Sequence, residues 1–386
     1  MDWSGFEPET SGLQNRRSSA DLPARERPHG ALRVLGFPTE PWTAVAGPKA
    51  HVAAEGRTGV KLSVFSVVDD AGPGRDRYRE TIALAEAADR AGFSALWVAE
   101  HHFNPTGLCP APAVLLAACG ARTTRLRLGS LVSVLPFHRP VDVAEEYALL
   151  DRLVGGRVNL GFGSGYVPAE FEGYGIDPKS RHDRFDLAYR TVVAALAGEA
   201  VVVGENGAPP VRLNVRPVQE PHPPIWIAVQ RREAIPYVAR RGASIALIPY
   251  ATVRDLSELA DEIREFRAAC PPGSTQEVAV GLHLYAGPDP DHARAAFRTY
   301  LADRLRLGST HLEAKAARAP TAVDPAALEA AGLVAFGSPE EVEFRLDRLA
   351  EIGVDELLGI FDFGGLPGTE AVASIESLGH LRRDRA

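Results

Sequence analysis

The chain has 386 residues, of which 45% are hydrophobic and 24% are charged, and its formal net charge at pH 7 is −8. An acidic chain without a basic block is a poor candidate for binding nucleic acid. The sequence also lacks an apolar run of roughly 18 residues and a visible secretory signal, and its three cysteines form no CxxC pair. We therefore expect a cytoplasmic enzyme, without a disulfide framework or a metal site.

Residues 1–58 differ in composition from the rest of the chain. They are rich in Pro, Gly, Arg, Ser and Glu and show no sustained helical or strand periodicity, which predicts a disordered tail. Residues 5–17 also resemble spurious peptides translated from the antisense strand of a tRNA gene. A natural flexible tail and a start assigned too far upstream therefore both stay open. We predict two regions, the tail at residues 1–58 and a folded domain at residues 59–386.

From Lys61 onward, short apolar strands alternate with helices. Eight such strands in one stretch favour a parallel sheet with right-handed crossovers, and the simplest closed arrangement is a (β/α)8 TIM barrel. A doubly wound open sheet is the alternative, but residues 68–74 (VDDAGPG) do not supply the dinucleotide fingerprint expected after its first strand. The predicted strands are residues 61–67, 95–99, 126–131, 158–162, 225–229, 244–248, 278–285 and 356–361.

The helices between these strands are bounded by recognisable end signals in several places. A late helix is predicted to begin with Ser338 as its N-cap and Pro339 at its first position. One segment departs from the alternation, because residues 200–203 and 211–214 flank the turn sequence GENG and predict a β-hairpin insertion before strand five. The other predicted helices are residues 75–91, 112–121, 141–153, 181–196, 232–241, 253–269 and 291–307.

The predicted strand two ends in Glu100, His101 and His102. Adjacent strand residues point to opposite faces, so the two histidines do not easily share a metal ion, and one carboxylate with one imidazole is too small a ligand set. A single inward histidine at a strand end suits acid/base catalysis, because its pKa lies near neutrality. A packed, hydrogen-bonded histidine at the barrel rim is the structural alternative.

Two features after strands four and five indicate an anion site. The turn GFGSG at residues 161–165 lets the backbone approach a ligand, although Tyr166 breaks the GxGxxG pattern and a simple tight turn explains the glycines equally well. Arg231 and Arg232 begin the predicted helix after strand five, where a helix N-terminus adds to their positive charge. A solvated basic helix start is the alternative, but the two features together favour a cofactor that carries a phosphate.

Six segments in order resemble the bacterial luciferase-like flavin monooxygenases. The resemblance covers about residues 61–381 and is specific to the superfamily rather than to one member. The matching segments are residues 96–103 (LWVAEHHF), 128–130 with 135–140 (LGS and LPFHRP), 149–157 (LLDRLVGGR), 161–165 (GFGSG), 219–226 (QEPHPPIW) and 362–367 (DFGGLP).

The resemblance implies a TIM barrel that binds reduced FMN at its top. Dioxygen then gives a flavin 4a-hydroperoxide that oxygenates a small organic substrate, and a separate reductase supplies the flavin. His101 matches the family's acid/base residue, and a non-proline cis peptide is implied between Leu131 and Val132. We also expect a homodimer. The residues that match the phosphate-binding positions are Gly163, Ser164, Gly165, Tyr166, Gln230 and Arg231.

Three departures from the family pattern and two alternative functions qualify this expectation. Luciferases proper carry a reactive cysteine at the position of Gly163 and an arginine at that of Ser164, so light emission is not expected here. Arg231 stands where a serine or threonine is common, and it can replace the charge missing at Ser164. The alternatives are a hydride-transfer oxidoreductase of the same superfamily that uses an 8-hydroxy-5-deazaflavin coenzyme, and a non-catalytic flavin-binding protein.

Overall fold

The computed structural model describes residues 59–70, 72–103, 107–203, 208–306 and 323–384. The predicted tail therefore lies outside the described residues. Within them, ten strands occur, and their bounds are β1 Lys61–Ser66, β2 Ala95–Val98, β3 Arg127–Ser130, β4 Ser133–Val134, β5 Val158–Gly163, β6 Ile225–Val229, β7 Ser244–Leu247, β8 Val278–Ala286, β9 Ala335–Gly337 and β10 Glu356–Ile360.

Eight of these strands close into a barrel, as predicted. The order is β1-β2-β3-β5-β6-β7-β8-β10, every neighbouring pair is parallel, and β10 also pairs with β1. The register places Val64 beside Leu96 and Leu358 beside Gly281. β4 pairs only with β5, and β9 extends the upper end of β8. The barrel prediction is thus confirmed, because buried apolar runs of this length form parallel strands covered by helices.

The helices cover the outside of the barrel. Their bounds are α1 Arg77–Ala91, α2 Pro112–Gly120, α3 Pro140–Leu153, α4 Pro168–Gly173, α5 Arg181–Leu196, α6 Ile235–Arg240, α7 Pro249–Thr252, α8 Leu256–Ala269, α9 Pro290–Arg306, α10 Pro325–Ala330, α11 Pro339–Glu351 and α12 Gly368–Asp384. At α11, Ser338 caps the helix in a reciprocal capping box with Glu341, which confirms the predicted start.

Two predictions need correction or narrowing. The helix after strand five was expected from residue 232, but residues 232–234 form a 3-10 turn and α6 begins at Ile235. Pro236 lacks an amide hydrogen and is therefore placed in the first turn of the α-helix. In the predicted hairpin, Val201 and Val211 form a single antiparallel bridge, while residues 204–207 lie outside the described residues.

A buried ion cluster fixes the loops after β1 and β10 to each other. Arg77, at the start of α1, is 3.2 Å from the carboxylate of Asp69 and 2.9 Å from that of Asp362. The Ser66 hydroxyl, at the end of β1, donates to Asp362 as well. Removing a charged partner from this cluster would leave an uncompensated buried charge. The cluster therefore joins the loops after β1 and β10 at the rim of the barrel.

Candidate active site

A cavity of about 290 Å³ opens at the carboxyl ends of the strands. This is the end of a (β/α)8 barrel at which active sites form. The residues predicted to act in catalysis or to bind the cofactor all line this one cavity, which therefore brings together segments that are far apart in the chain. These residues are His101, Leu131, Val132, Gly163, Ser164, Gly165, Tyr166, Gln230 and Arg231. His102 and Arg232, which the sequence analysis also considered, do not line the cavity.

His101 follows β2 and is held by a carboxylate that the sequence analysis did not identify. Its Nδ1 lies 2.8 Å from Oε1 of Glu170, on the short helix α4, and the same oxygen accepts the main-chain N–H of His102 at 3.0 Å. Within the described part of the chain, no residue is hydrogen-bonded to Nε2 of His101. An Nδ1–H that donates to Glu170 leaves Nε2 as the basic nitrogen on the cavity side.

His102 belongs to a second network behind the cavity wall. Oε1 of Glu100 lies 2.9 Å from Nε2 of His102 and 2.7 Å from Nε2 of His138, and Oε2 accepts the N–H of Val134. The Tyr174 hydroxyl is 3.1 Å from Nδ1 of His102, so both nitrogens of that ring are engaged. This arrangement fits the structural role that strand alternation assigns to His102.

The same network shifts the protonation of its members. Burial by itself raises the pKa of Glu100, but the hydrogen bonds from His102 and His138 outweigh burial and leave that pKa below its ordinary value. Burial lowers the pKa of His138, yet the hydrogen bond to Glu100 raises it above its ordinary value. Ligand atoms of Glu100, His102 and His138 lie within 4.8 Å of one another, and His138 is the third partner that the sequence analysis lacked. Hydrogen bonds between these atoms account for the contacts, and the prediction of no metal site stays a prediction.

The glycine-rich turn after β5 packs against the end of β3. A Cβ on Gly163 would lie 2.5 Å from Cγ2 of Val132, and Gly165 has a φ of +74°. Only glycine fits both requirements without displacing neighbours. The peptide bond between Leu131 and Val132 is cis, as the family resemblance implied. The turn thus presents main-chain groups to the cavity at close range.

One end of the cavity carries most of the positive charge. Arg231 and Gln230 come from the end of β6, and Arg181 and His182 come from the start of α5. Arg181 donates to Nε2 of His182 at 3.3 Å. Burial lowers the pKa of His182, and Arg181 and Arg231 lower it further. Because α6 begins four residues after Arg231, side-chain charge rather than the dipole of α6 makes this end suitable for an anion.

The structure also adds lining residues that the sequence analysis missed. Glu170 lies within a glycine-rich stretch interpreted as a loop, although Pro168 two residues earlier is a helix-start signal. Tyr250 is the second residue after the end of predicted strand six, where no sequence motif marks it. Tyr300 and Arg304 lie on α9, one turn apart, where no motif marks them. The complete set of missed polar lining residues is Glu100, Glu170, Arg181, His182, Tyr250, Thr252, Tyr300 and Arg304.

The donor set fits a flavin mononucleotide. The isoalloxazine ring is planar and largely apolar, and the cavity offers apolar walls from Phe65, Leu131, Val132 and Ile360. The charged end supplies guanidinium groups, and Ser164 supplies a hydroxyl, which is the chemistry that holds a phosphate. The narrow approach at Gly163 allows main-chain N–H groups to contribute.

Two buried cysteines lie near this site. Burial raises the pKa of the Cys109 thiol and of the Cys119 thiol to about 12. The main-chain carbonyl of Cys109 accepts the N–H of His101 at 3.1 Å, so this cysteine is next to the site without lining the cavity.

Among the described residues, no helix is long and apolar enough to cross a membrane.

Comparison with known proteins places this geometry in context. A protein of Sinorhizobium fredii labelled uncharacterized protein y4wF is 34% identical over 79% of this chain and 91% of its own length. The oxygenase component of a flavin-dependent trigonelline monooxygenase of Acinetobacter baylyi is 27% identical over 59% of this chain and 65% of its own length.

Solved structures share the fold. The monooxygenase RslO1 of Streptomyces bottropensis aligns with a TM-score of 0.72 at 25% identity, over 85% of this chain and all of that one. The oxygenating constituent of 3,6-diketocamphane monooxygenase of Pseudomonas putida, in complex with FMN, gives 0.68 at 19%, over 83% and 96%. An F420-dependent secondary alcohol dehydrogenase gives 0.59 at 18%, over 83% and 98%.

The sequence profile described as luciferase-like monooxygenase matches residues 51–356. The matched range contains the first seven barrel strands, the first residue of β10 and every residue predicted for the site. The chain belongs to the luciferase-like monooxygenase family.

Proposed function

We propose that this protein is a flavin-dependent monooxygenase that uses reduced FMN and dioxygen to oxygenate a small organic substrate. The observation that carries the proposal is that one cavity is lined both by the His101–Glu170 pair and by Arg181, Arg231 and Ser164. A phosphate-bearing redox cofactor bound between them has its phosphate neutralised and its reactive ring beside an imidazole.

The residues of this chain then have distinct tasks. When bound, reduced FMN supplies the electrons and activates dioxygen. Nε2 of His101 moves a proton to or from the reacting group, and Glu170 fixes the ring and stabilises its protonated form. Arg181 and Arg231 hold the phosphate. Phe65, together with apolar side chains from the ends of β2, β3 and β10, limits the entry of water, which protects reactive species from hydrolysis and stray protons.

The partner is a separate flavin reductase. This part of the proposal rests on the trigonelline monooxygenase relative, which is described as the oxygenase component of its system. It also agrees with the lack of a nicotinamide-binding fingerprint in the sequence.

Cofactor choice is the experiment that tests the proposal. The purified chain is mixed under air with reduced FMN or with the reduced deazaflavin coenzyme, and binding and oxygen consumption are followed for each. Tight binding of reduced FMN with oxygen consumption that responds to organic substrates is the expected result. Preference for the deazaflavin, with no oxygen consumed, would instead support hydride transfer. Flavin binding without turnover of any substrate would support a binding protein.

A further inference from the structure

The cavity has a second polar region, formed by side chains other than those assigned to the phosphate. It consists of Tyr250 on α7 and of Tyr300 and Arg304 on α9. The hydroxyl groups of Tyr250 and Tyr300 are 3.2 Å apart, and the guanidinium carbon of Arg304 lies 4.9 Å from the ring centre of Tyr300. Two phenols and one guanidinium therefore meet on the lining of the cavity, which Tyr166 lines as well.

The charge states in this region are well defined. Burial raises the pKa of Tyr166 to about 12, so its phenol is neutral and able to donate a hydrogen bond. An arginine side chain stays protonated in proteins, so Arg304 is a fixed positive charge on the cavity wall. The carboxylate of Asp69 contributes to keeping that charge, and Asp69 is also ion-paired with Arg77 at 3.2 Å.

A buried imidazole next to this region has unused hydrogen-bonding capacity. Both ring nitrogens of His283, on β8, are inaccessible to solvent and have no hydrogen-bond partner among the residues that the structure describes. The ring centre lies 5.0 Å from that of Tyr250 and 4.6 Å from that of Tyr300. A buried polar group without a partner is costly, and His283 is not among the residues that line the cavity, so its ring marks a polar environment beside Tyr250 and Tyr300 rather than a ligand contact.

The two groups of charged side chains come from different elements of the fold. Arg181 is at the start of α5 and Arg231 follows β6, whereas Arg304 is on α9. One FMN carries one phosphate, which we assign to Arg181 and Arg231. Arg304 is a further positive charge on the lining of the same cavity, and the rings of Tyr250 and Tyr300 provide flat apolar surface on that lining.

We propose that Arg304, with Tyr250 and Tyr300, forms a subsite for the carboxylate of the substrate, which is an organic acid with an apolar, preferably aromatic, body. This inference rests on the proposed function only in treating the ligand as substrate. The guanidinium binds the carboxylate in the two-pronged manner that its planar fork allows, and the phenols donate to the same oxygens. The apolar body packs on the tyrosine rings toward His101.

The test uses simple acids and their neutral amides as probes. Calorimetric titrations of the full chain with benzoate and 3-phenylpropionate, and with benzamide and 3-phenylpropionamide, are run anaerobically with reduced FMN bound, in a buffer free of carboxylate and phosphate. We expect each acid to bind at least about tenfold more tightly than its amide, because a charge-assisted contact is lost in the amide. Equal affinity, or no detectable binding of either acid, would overturn the proposal.

Variants locate the preference in the structure. Arg304→Gln is expected to abolish the preference for the acids and Arg304→Lys to retain part of it. Arg306→Gln, which changes an exposed arginine paired with Asp303 on the same helix, should leave it unchanged. Melting temperatures establish that each variant is folded. A preference that survives in Arg304→Gln, or an equal loss of reduced FMN binding in that variant, would remove the assignment. Binding of the acids by a protein that binds no FMN would contradict the proposed function but not the subsite.

Discussion

The two sides of the cavity place histidines beside opposite charges. At the end of β2, Glu170 accepts from His101, and Glu100 accepts from His102 and His138. At the start of α5, His182 lies instead against the guanidinium group of Arg181. A carboxylate neighbour stabilises a protonated imidazole, whereas a guanidinium neighbour disfavours it. A histidine beside a carboxylate suits the proposed proton transfer. His182, beside Arg181, instead favours its neutral form, and the arginines supply the positive charge for the proposed phosphate.

The β2 side contains a further contrast between adjacent residues. His101 presents Nε2 to the cavity, while both nitrogens of His102 are hydrogen-bonded. Strand alternation sends the two side chains in different directions, and the available carboxylates then fix their roles. The following changes test this division of tasks, beginning with the largest expected effect.

Replacing His101 with alanine should reduce turnover by about 10²–10⁴, the usual worth of a positioned proton-transfer group. Reduced-flavin binding should change only a few-fold, because the phosphate contacts lie at the other end of the cavity. A larger fraction of the oxygen consumed should also appear as hydrogen peroxide. Single-turnover kinetics with peroxide determination measure all three quantities. A mild effect in well-folded protein would show that another residue transfers the proton.

Replacing Arg231 with alanine should weaken FMN binding by roughly ten- to over a hundredfold, equivalent to about 1.5–3 kcal/mol for one charge-assisted contact. Riboflavin binding should change little, because riboflavin lacks the phosphate. The matched control is Arg232→Ala, since Arg232 is paired with Glu265 on the surface and does not line the cavity. Fluorescence titration of each protein with both ligands gives the comparison, and equal losses for the two ligands would remove the phosphate assignment.

Glu170→Gln should reduce turnover by roughly ten- to a hundredfold, because an amide does not stabilise a protonated imidazole as a carboxylate does. Turnover of the folded fraction, measured together with the melting temperature, gives the comparison. If turnover falls only in proportion to the loss of folded protein, the role of Glu170 is purely structural. Glu172→Gln, an exposed position on the same short helix, serves as the control and should show wild-type turnover.

Replacing His102 with alanine should lower the free energy of unfolding by about 1–3 kcal/mol, through loss of its buried hydrogen bonds. Turnover of the folded fraction should stay near the wild-type value. Tyr174→Phe removes only one of those hydrogen bonds and should cost less. Thermal melting together with turnover separates the two properties. If His102→Ala abolishes turnover while His101→Ala is mild, the two faces of β2 are assigned the wrong way round.

The smallest effect concerns His182 and pH. Its pKa is lowered in the free protein, and the negative phosphate of FMN should raise it, so FMN binding takes up a proton. FMN affinity of the wild type, relative to that of His182→Asn, should therefore increase a few-fold as pH falls through about 6.5 and below. The ratio removes the titration of the FMN phosphate itself, which is common to both proteins. A ratio independent of pH would exclude this linkage.

The sequence predicted the barrel strands well, for a physical reason. Most of the barrel strands are largely apolar runs buried on both faces, and such runs are visible without knowledge of their partners. β6, for example, is Ile225–Val229 in both the prediction and the structure. The predicted site residues followed from the rule that parallel strands bring their carboxyl ends together.

The missed residues depend on packing that local patterns do not reveal. Glu170 lies 69 positions after His101 and reaches it only because α4 folds back over the cavity. His138 lies four residues after β4, and its Nε2 is 2.7 Å from Oε1 of Glu100. Tyr300 and Arg304 lie on α9. The spacing of apolar residues in this helix predicts which face is buried, but it does not predict which polar residues line a cavity. At Pro236, by contrast, a local signal was present in the sequence. Apolar periodicity predicted a helix start at residue 232, whereas proline in the first turn is consistent with the observed start at Ile235.

The buried thiols have a consequence for the durability of the protein. Oxidation of cysteine proceeds through the thiolate, and the pKa values of Cys109 and Cys119, raised to about 12, keep both as thiols at neutral pH. Position 163, next to the expected path of the oxidant, is glycine, and neither cysteine nor methionine occurs among the described lining residues. The one methionine of the chain is Met1. If the proposed reaction with dioxygen takes place in this cavity, no sulfur among the described lining residues meets the peroxide released there, so we expect activity to be lost slowly during uncoupled turnover.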